Sequence, residues 1–145
     1  MKKLKWLCLL LAAVFFNLSS TAQNSSNKGT DFWVGFMAHY SSRAGMYLYI
    51  TSDSNTTGTV SIPGKNWSKS FTVTANSMTL VQIPSNLAYV GCSDCIVKQG
   101  IKVTSLKKII VYSHIYYQYR SDATLVLPVQ TTGKEYYAMA YEQGG

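Results

Sequence analysis

Hydrophobic and polar residues alternate along much of this chain, which is the pattern of β-strands with one buried face. Residues 70–75 (S-F-T-V-T-A) place hydroxyl side chains on one face and apolar side chains on the other, namely Phe71, Val73 and Ala75. An A-N-S turn then leads into residues 78–84 (M-T-L-V-Q-I-P), so the pattern predicts a β-hairpin. The inward residues of its second strand are predicted to be Val81 and Ile83.

Further short segments rich in aromatic and β-branched residues are predicted to be strands, at residues 31–40, 46–52, 59–63, 101–105, 108–119, 123–129 and 135–141. Turn signals separate them, among them T-T-G at 56–58 and S-L-K at 105–107. The run at 108–119 is apolar or aromatic on both faces, as expected of a central strand covered on both sides. Many short strands with turns between them indicate a sandwich or barrel rather than an α/β fold. We predict an all-β fold, an antiparallel β-sandwich with either jelly-roll-like or immunoglobulin-like topology.

The first residues carry the pattern of a signal peptide. A basic start, M-K-K-L-K, precedes an apolar run too short for a transmembrane helix, and the small residues Ser20 and Ala22 precede a cleavage site. The sequence therefore predicts a signal-peptide helix over residues 1–22, a flexible lead-in over 23–29 and one domain over 30–145. The mature product is expected to be secreted or held at the cell surface, with no membrane insertion after cleavage.

Cleavage lowers the positive charge of the chain. Without Lys2, Lys3 and Lys5 the basic residues fall from 13 to 10 against 6 acids, so the net charge falls from +7 to +4. The other cations are scattered rather than concentrated in a stripe among base-stacking groups, which argues against a nucleic-acid partner. A solvated surface that carries a net charge is the favoured interpretation.

Two cysteines, Cys92 and Cys95, lie in the longest predicted connection, residues 84–100. A four-residue turn brings its terminal Cα atoms within about 7 Å, a separation that a disulfide tolerates. In an oxidising compartment we rank a structural disulfide first, free thiols second, and a metal or redox site third. Only His39 and His114 could add nitrogen ligands for a metal, and a thioredoxin-type redox pair needs a βαβ setting.

No arrangement of residues indicates catalysis. None of the six acids shares a short motif with another, and no G-x-S-x-G elbow accompanies the serines and histidines. His114 shares a strand face with Ile110, Tyr112 and Tyr116, where it could line a sugar-stacking platform. A hydrogen-bonded filler of a half-buried aromatic face is the favoured interpretation of this histidine. We therefore predict no enzyme activity, no cofactor and no metal site.

Several blocks of residues together resemble the IgGFc-binding protein N-terminal domain. They include G-T-D-F-W-V-G-F-M at 29–37, F-T-V-T-A-N at 71–76, G-I-K-V-T-S at 100–105 and S-D-A-T-L-V-L-P-V at 121–129. In bacteria this domain occurs in large exported proteins of the Bacteroidetes group, so the resemblance implies an extracellular β-rich binding or adhesion module. Such proteins continue past the point that matches residue 145, so the domain is expected to be truncated at its C-terminus.

The residues and the resemblance agree on a binding module outside the cell, with an unknown protein or glycan as its ligand. A contact region is predicted at Trp67, Tyr89 and the Cys92–Cys95 loop, with His114 as a further candidate, because recognition usually resides in loops on a rigid β scaffold. The alternative function is a structural spacer in a larger surface protein, whose partners are other domains of a longer chain. A carbohydrate-binding or carbohydrate-active domain is third.

Overall fold

The computed structural model describes residues 26–37, 39, 41–92, 95–133 and 135. They form seven strands, β1 (Gly29–Val34), β2 (Gly45–Thr51), β3 (Thr56–Ile62), β4 (Trp67–Val73), β5 (Met78–Ile83), β6 (Ile101–Tyr117) and β7 (Arg120–Val126). This part of the chain also has one short helix, α1 (Ser85–Ala88), and two 3-10 turns at Pro63–Lys65 and Val129–Thr131. None of its helices has the length and apolar character needed to cross a membrane. The predicted signal peptide and, apart from Glu135, the strand predicted at 135–141 lie outside the described residues.

The seven strands pair antiparallel and join into one sheet that nearly closes into a barrel. The long strand β6 is central, because its first half pairs with β1 and β3 and its second half with β2 and β7. Strand β4 flanks β3, strand β5 flanks β2, and these two outer strands end the order β4-β3-β6-β2-β5. The prediction of an all-β, antiparallel fold is confirmed, while the division into two packed sheets stays a prediction.

Strand β6 runs without a break through residues 105–107, where the sequence predicted a turn. Ser105 Oγ donates a hydrogen bond to the carbonyl oxygen of Lys107 (2.7 Å), and the backbone N–H of Lys107 donates to Thr56 Oγ1 (3.1 Å). The register between β1 and β6 also shifts at this place. The polar residues therefore mark an irregularity inside one strand, where side-chain hydrogen bonds supplement the ladder.

The hydrophobic core is built from alternate residues of the strands, as a side-chain period of two requires. The largest fully buried side chains include Phe32, Met46, Leu48, Ile50, Ile62, Ile83, Ile101 and Ile109. Val81 and Ile83 are buried, so the inward face predicted for β5 is confirmed. Phe71 and Val73 of β4 are buried as predicted, whereas Ala75 lies beyond the end of that strand and is only half-buried.

The even-numbered residues in the second half of β6 face outward. Tyr112 and Tyr116 are 41% and 52% exposed, whereas Ile109, Val111 and Ile115 of the same strand are buried. The prediction of a strand covered on both faces is therefore wrong. An exposed aromatic face has the same composition as a second buried face, so composition alone did not distinguish the two.

Residues 56–58 belong to β3 rather than to the turn predicted from T-T-G. The turn lies between the end of β2 and the start of β3. There Ser52 Oγ donates a hydrogen bond to the carbonyl oxygen of Lys108 (2.8 Å) and accepts one from the N–H of Ser54 (3.2 Å). Close packing requires glycine at position 58, because a Cβ atom there would overlap the ring of Phe71 and the carbonyl oxygen of Thr104. This glycine therefore marks a close approach of neighbouring strands and not a turn.

Candidate functional site

An open cleft of about 740 Å³ lies at one end of the sheet, where β2 and β4 begin and β5 and β6 end. We call it the end cleft, and its principal side chains are Arg43, Tyr47, Trp67, Lys69, Gln82, Asn86, Tyr116 and Gln118. Its volume falls in the range of roughly 300–1,000 Å³ that is typical of small-molecule sites. Four strands and the first residues of α1 contribute to it, so the site depends on the tertiary fold.

The end cleft forms at the open end of the seam between β4 and β5. These strands are consecutive in the chain, but β4 pairs with β3 and β5 pairs with β2. No backbone ladder joins β4 to β5. Near the turn between them, Thr79 Oγ1 donates a hydrogen bond to the carbonyl oxygen of Thr72 (2.7 Å). At the other end, Trp67, Lys69 and Gln82 line the cleft. The hairpin predicted from the sequence is therefore wrong as a hydrogen-bonded pair, although both of its strands exist.

Aromatic side chains from three strands line the end cleft. Trp67 is half-buried and packs against the core, so its ring is held in place while part of it stays accessible. Tyr47 lies over Gly45, where an added Cβ atom would come within 2.6 Å of the tyrosine ring. Tyr116 is more than half exposed, and each tyrosine presents an apolar ring together with a polar hydroxyl group. The cleft therefore brings aromatic rings and hydrogen-bonding groups together.

The charged side chains that line the end cleft are both basic. Arg43 and Lys69 are among its lining residues, and no aspartate or glutamate of the described chain is. The salt bridges found between described residues involve other lysines. The end cleft therefore carries positive charge that no described acid balances by a direct contact.

A turn before β2 positions Arg43. The backbone N–H of Arg43 donates to Ser41 Oγ (3.1 Å), and the N–H of Ala44 donates to the carbonyl oxygen of Ser41 (3.1 Å). Ala44 is fully buried, which anchors the end of this turn in the core. The side-chain amides of Gln82 and Asn86 add hydrogen-bond donors and acceptors to the same cleft.

His114 lies on the outward face of β6, next to the tyrosines of the end cleft. Its ring centroid is 6.2 Å from those of Tyr47 and Tyr116 and 5.7 Å from that of Tyr49. Its Nδ1 lies 3.4 Å from the hydroxyl oxygen of Tyr49, and its Nε2 lies 3.2 Å from Ser121 Oγ. Both ring nitrogens thus have a polar partner, and His114 lies beside the tyrosines without lining the cleft.

Tyr89 lies apart from Trp67 and outside the lining of the end cleft. It is half-buried against the core, its hydroxyl group donates to the carbonyl oxygen of His39 (3.0 Å), and its own carbonyl oxygen accepts from Gln99 Nε2 (2.7 Å). Cys92 and Cys95 form a disulfide in the loop that follows, with Cα atoms 6.1 Å apart. Tyr89 and the disulfide therefore brace the chain after α1 and lie outside the cleft.

Of the predicted contact residues Trp67 lines the end cleft, while the other residues that line it were not among the predicted ones. The alternation in M-Y-L-Y-I at 46–50 predicts that Tyr47 and Tyr49 share an outward face, which was an available signal for one wall. Nothing local links Arg43 to Lys69, since they lie on elements that meet only in the folded chain. Within the described residues, no group of three or more His, Cys, Asp or Glu side chains is placed to hold a metal ion.

Comparison with known proteins adds no relative from which a role for the end cleft could be transferred. No protein family, curated protein or solved structure matches the chain. The resemblance to the IgGFc-binding protein N-terminal domain therefore stays a prediction.

Proposed function

We propose that this chain is an exported binding module that holds a carbohydrate in the end cleft. The observation that carries the proposal is the presence of Trp67, Tyr47 and Tyr116 beside the amides of Gln82 and Asn86 in one open cleft. The apolar face of a sugar ring packs on an aromatic ring, while its hydroxyl groups need donors and acceptors around the edge. The end cleft supplies both kinds of contact.

Binding without hydrolysis is the better reading of this chemistry. Most glycoside hydrolases place two carboxyl groups on either side of the bond that they cleave. No described carboxylate lines the end cleft, and the charged groups there are Arg43 and Lys69. The side chains therefore favour retention of a sugar over its cleavage.

The place of action in this proposal is outside the cell. Support comes from the basic, apolar and small-residue pattern of residues 1–22, which is that of a cleavable signal peptide. The resemblance to a domain of exported bacterial surface proteins points the same way. A module of this kind would attach its cell or its parent protein to a glycan surface. The alternative, a spacer without a ligand, predicts that the end cleft binds nothing.

The test is a glycan array probed with the full chain purified after export, followed by titration calorimetry on the best glycans. We expect binding that weakens at least tenfold in Tyr47→Ala and Tyr116→Ala. These variants are preferred to Trp67→Ala, because Trp67 packs against the core and its loss would also affect folding. Trp33→Ala is the matched control, since Trp33 is an exposed aromatic residue outside the cleft. No binding to any glycan would favour the spacer, and equal losses in the control would contradict binding at the end cleft.

A further inference from the structure

We infer that the carbohydrate held by the end cleft is anionic, with carboxylate or sulfate groups on its sugar rings. The inference rests on the proposed function and names the class of its ligand. Arg43 and Lys69 both line the cleft, and no described acid lines it. A neutral sugar would leave both cations facing it without a counter-charge, whereas an acidic sugar supplies that charge.

The described aspartates lie elsewhere in the fold. Asp53 forms a salt bridge with Lys28, and Asp31 lies 3.7 Å from the ammonium group of Lys102. Asp122 lines a different cavity, beside Phe36 and Ser113 on the other side of β6 from its outward tyrosines. The positive potential of the end cleft is therefore not cancelled by direct contacts within the described chain. A concave surface lined by charge of one sign attracts ligands of the opposite sign and speeds their association.

The two cations suit different parts of an acidic sugar. Arginine presents a planar fork of donors that bonds a carboxylate or sulfate through two oxygens at once. The turn at 41–44 places Arg43 just before β2, and both Arg43 and Tyr47 line the cleft. Lysine is a mobile point charge, and Lys69 is exposed at the start of β4, next but one to Trp67. A sugar that packs on Trp67 or Tyr47 would thus have a cation within reach of its acidic group.

An acidic peptide is the competing ligand for a positive cleft. The outer edges of β4 and β5 are not paired in the sheet, so an extended peptide could add a strand there. The side chains favour the sugar, because the cleft joins several ring faces to amide side chains instead of presenting a row of alternating pockets. The experiment therefore includes an acidic peptide as a separate arm.

The experiment compares charged glycans with their uncharged counterparts and with an acidic peptide. The full chain, purified after export, is titrated with oligogalacturonate and its methyl ester, with dextran sulfate and unmodified dextran, and with poly-glutamate. We expect at least one charged glycan to bind tenfold or more tightly than its neutral counterpart, and its affinity to fall as salt is raised. Equal or tighter binding of the neutral glycans would overturn the anionic assignment and leave the carbohydrate function standing.

The other outcomes separate the inference from the function on which it rests. If poly-glutamate binds as tightly as the best charged glycan, the cleft selects its ligand by charge alone, and the assignment of a carbohydrate ligand is overturned. No binding of any glycan, charged or neutral, would overturn the proposed function itself.

Charge-removing variants connect the preference to the two cations. Arg43→Gln and Lys69→Gln are each expected to reduce the preference for the charged glycan about three- to tenfold, and the double variant to abolish it together with the salt dependence. Lys107→Gln is the matched control, because it removes the same charge from an exposed lysine outside the cleft. A preference unchanged in the double variant, or lost equally in the control, would contradict the assignment.

Discussion

The hydroxyl group of Thr79 in β5 donates a hydrogen bond to the backbone carbonyl oxygen of Thr72 in β4, at 2.7 Å. This hydrogen bond spans the seam between β4 and β5. No backbone ladder crosses the seam, because β4 pairs with β3 and β5 pairs with β2. The bond lies near the turn, and the end cleft occupies the opposite end of the seam. The Thr79 side chain thus helps to hold β4 and β5 together at one end of the seam, while the end that carries the cleft stays open.

Replacing Thr79 tests this role. We expect Thr79→Val to lower the free energy of unfolding by about 0.5–1 kcal/mol, at the low end for a hydrogen bond because the group is exposed. Urea denaturation measures the loss, and native-state hydrogen exchange of β4 amides should accelerate. Thr79→Ser keeps the hydroxyl group and is the control. Equal stability of the valine and serine variants would show that the bond does not hold the seam.

Gly58 is expected to be intolerant of any side chain. A Cβ atom there would overlap the Phe71 ring and the Thr104 carbonyl group, so Gly58→Ala should cost about 1–3 kcal/mol, as overpacking of a core does. Gly35→Ala is the control, because an added Cβ atom at Gly35 meets nothing within 4 Å. Thermal and urea denaturation of the two variants measure the difference in their stability. Similar stability in both would mean that β3 and β4 can move apart at no cost.

The cysteine pair is expected to stabilise its loop and not the domain as a whole. Non-reducing peptide mapping of exported protein should find Cys92 joined to Cys95. The double variant Cys92→Ser with Cys95→Ser should lose about 2 kcal/mol at most, because the closed loop is short. Binding at the end cleft should be unchanged, since neither cysteine lines it. Two alkylatable thiols in exported material would contradict the bridge.

Processing at the N-terminus is predicted to occur after Ala22. The S-T-A-Q junction follows a short apolar run, so mass analysis of the exported protein should show a chain that starts at Gln23. A variant with Ala22→Arg is the control, because a large charged residue at the position before cleavage should block processing. Recovery of membrane-embedded protein with an intact Met1 would contradict the signal-peptide interpretation.

The class of the fold and the buried faces of its most regular strands could be predicted from the sequence. Phe71, Val73, Val81 and Ile83 are buried as the alternation predicted, because side chains in a strand point to opposite faces whatever its neighbours are. The spacing of Cys92 and Cys95 likewise allowed a bridge from local geometry alone.

Which strands pair with one another could not be predicted from the sequence. The hairpin predicted for β4 and β5 is replaced by pairing to β3 and β2, and S-L-K continues β6 instead of ending it, because the stability of a ladder depends on partners distant in the chain. The exposure of Tyr112 depends on whether another part of the chain packs on that face of β6, and the residues around Tyr112 do not indicate this. For the same reason nothing in the sequence around Arg43 indicated that it would line the same cleft as Trp67 and Lys69. The end cleft forms only in the folded chain, where the long strand β6 pairs with both β2 and β3 and so joins them in one sheet.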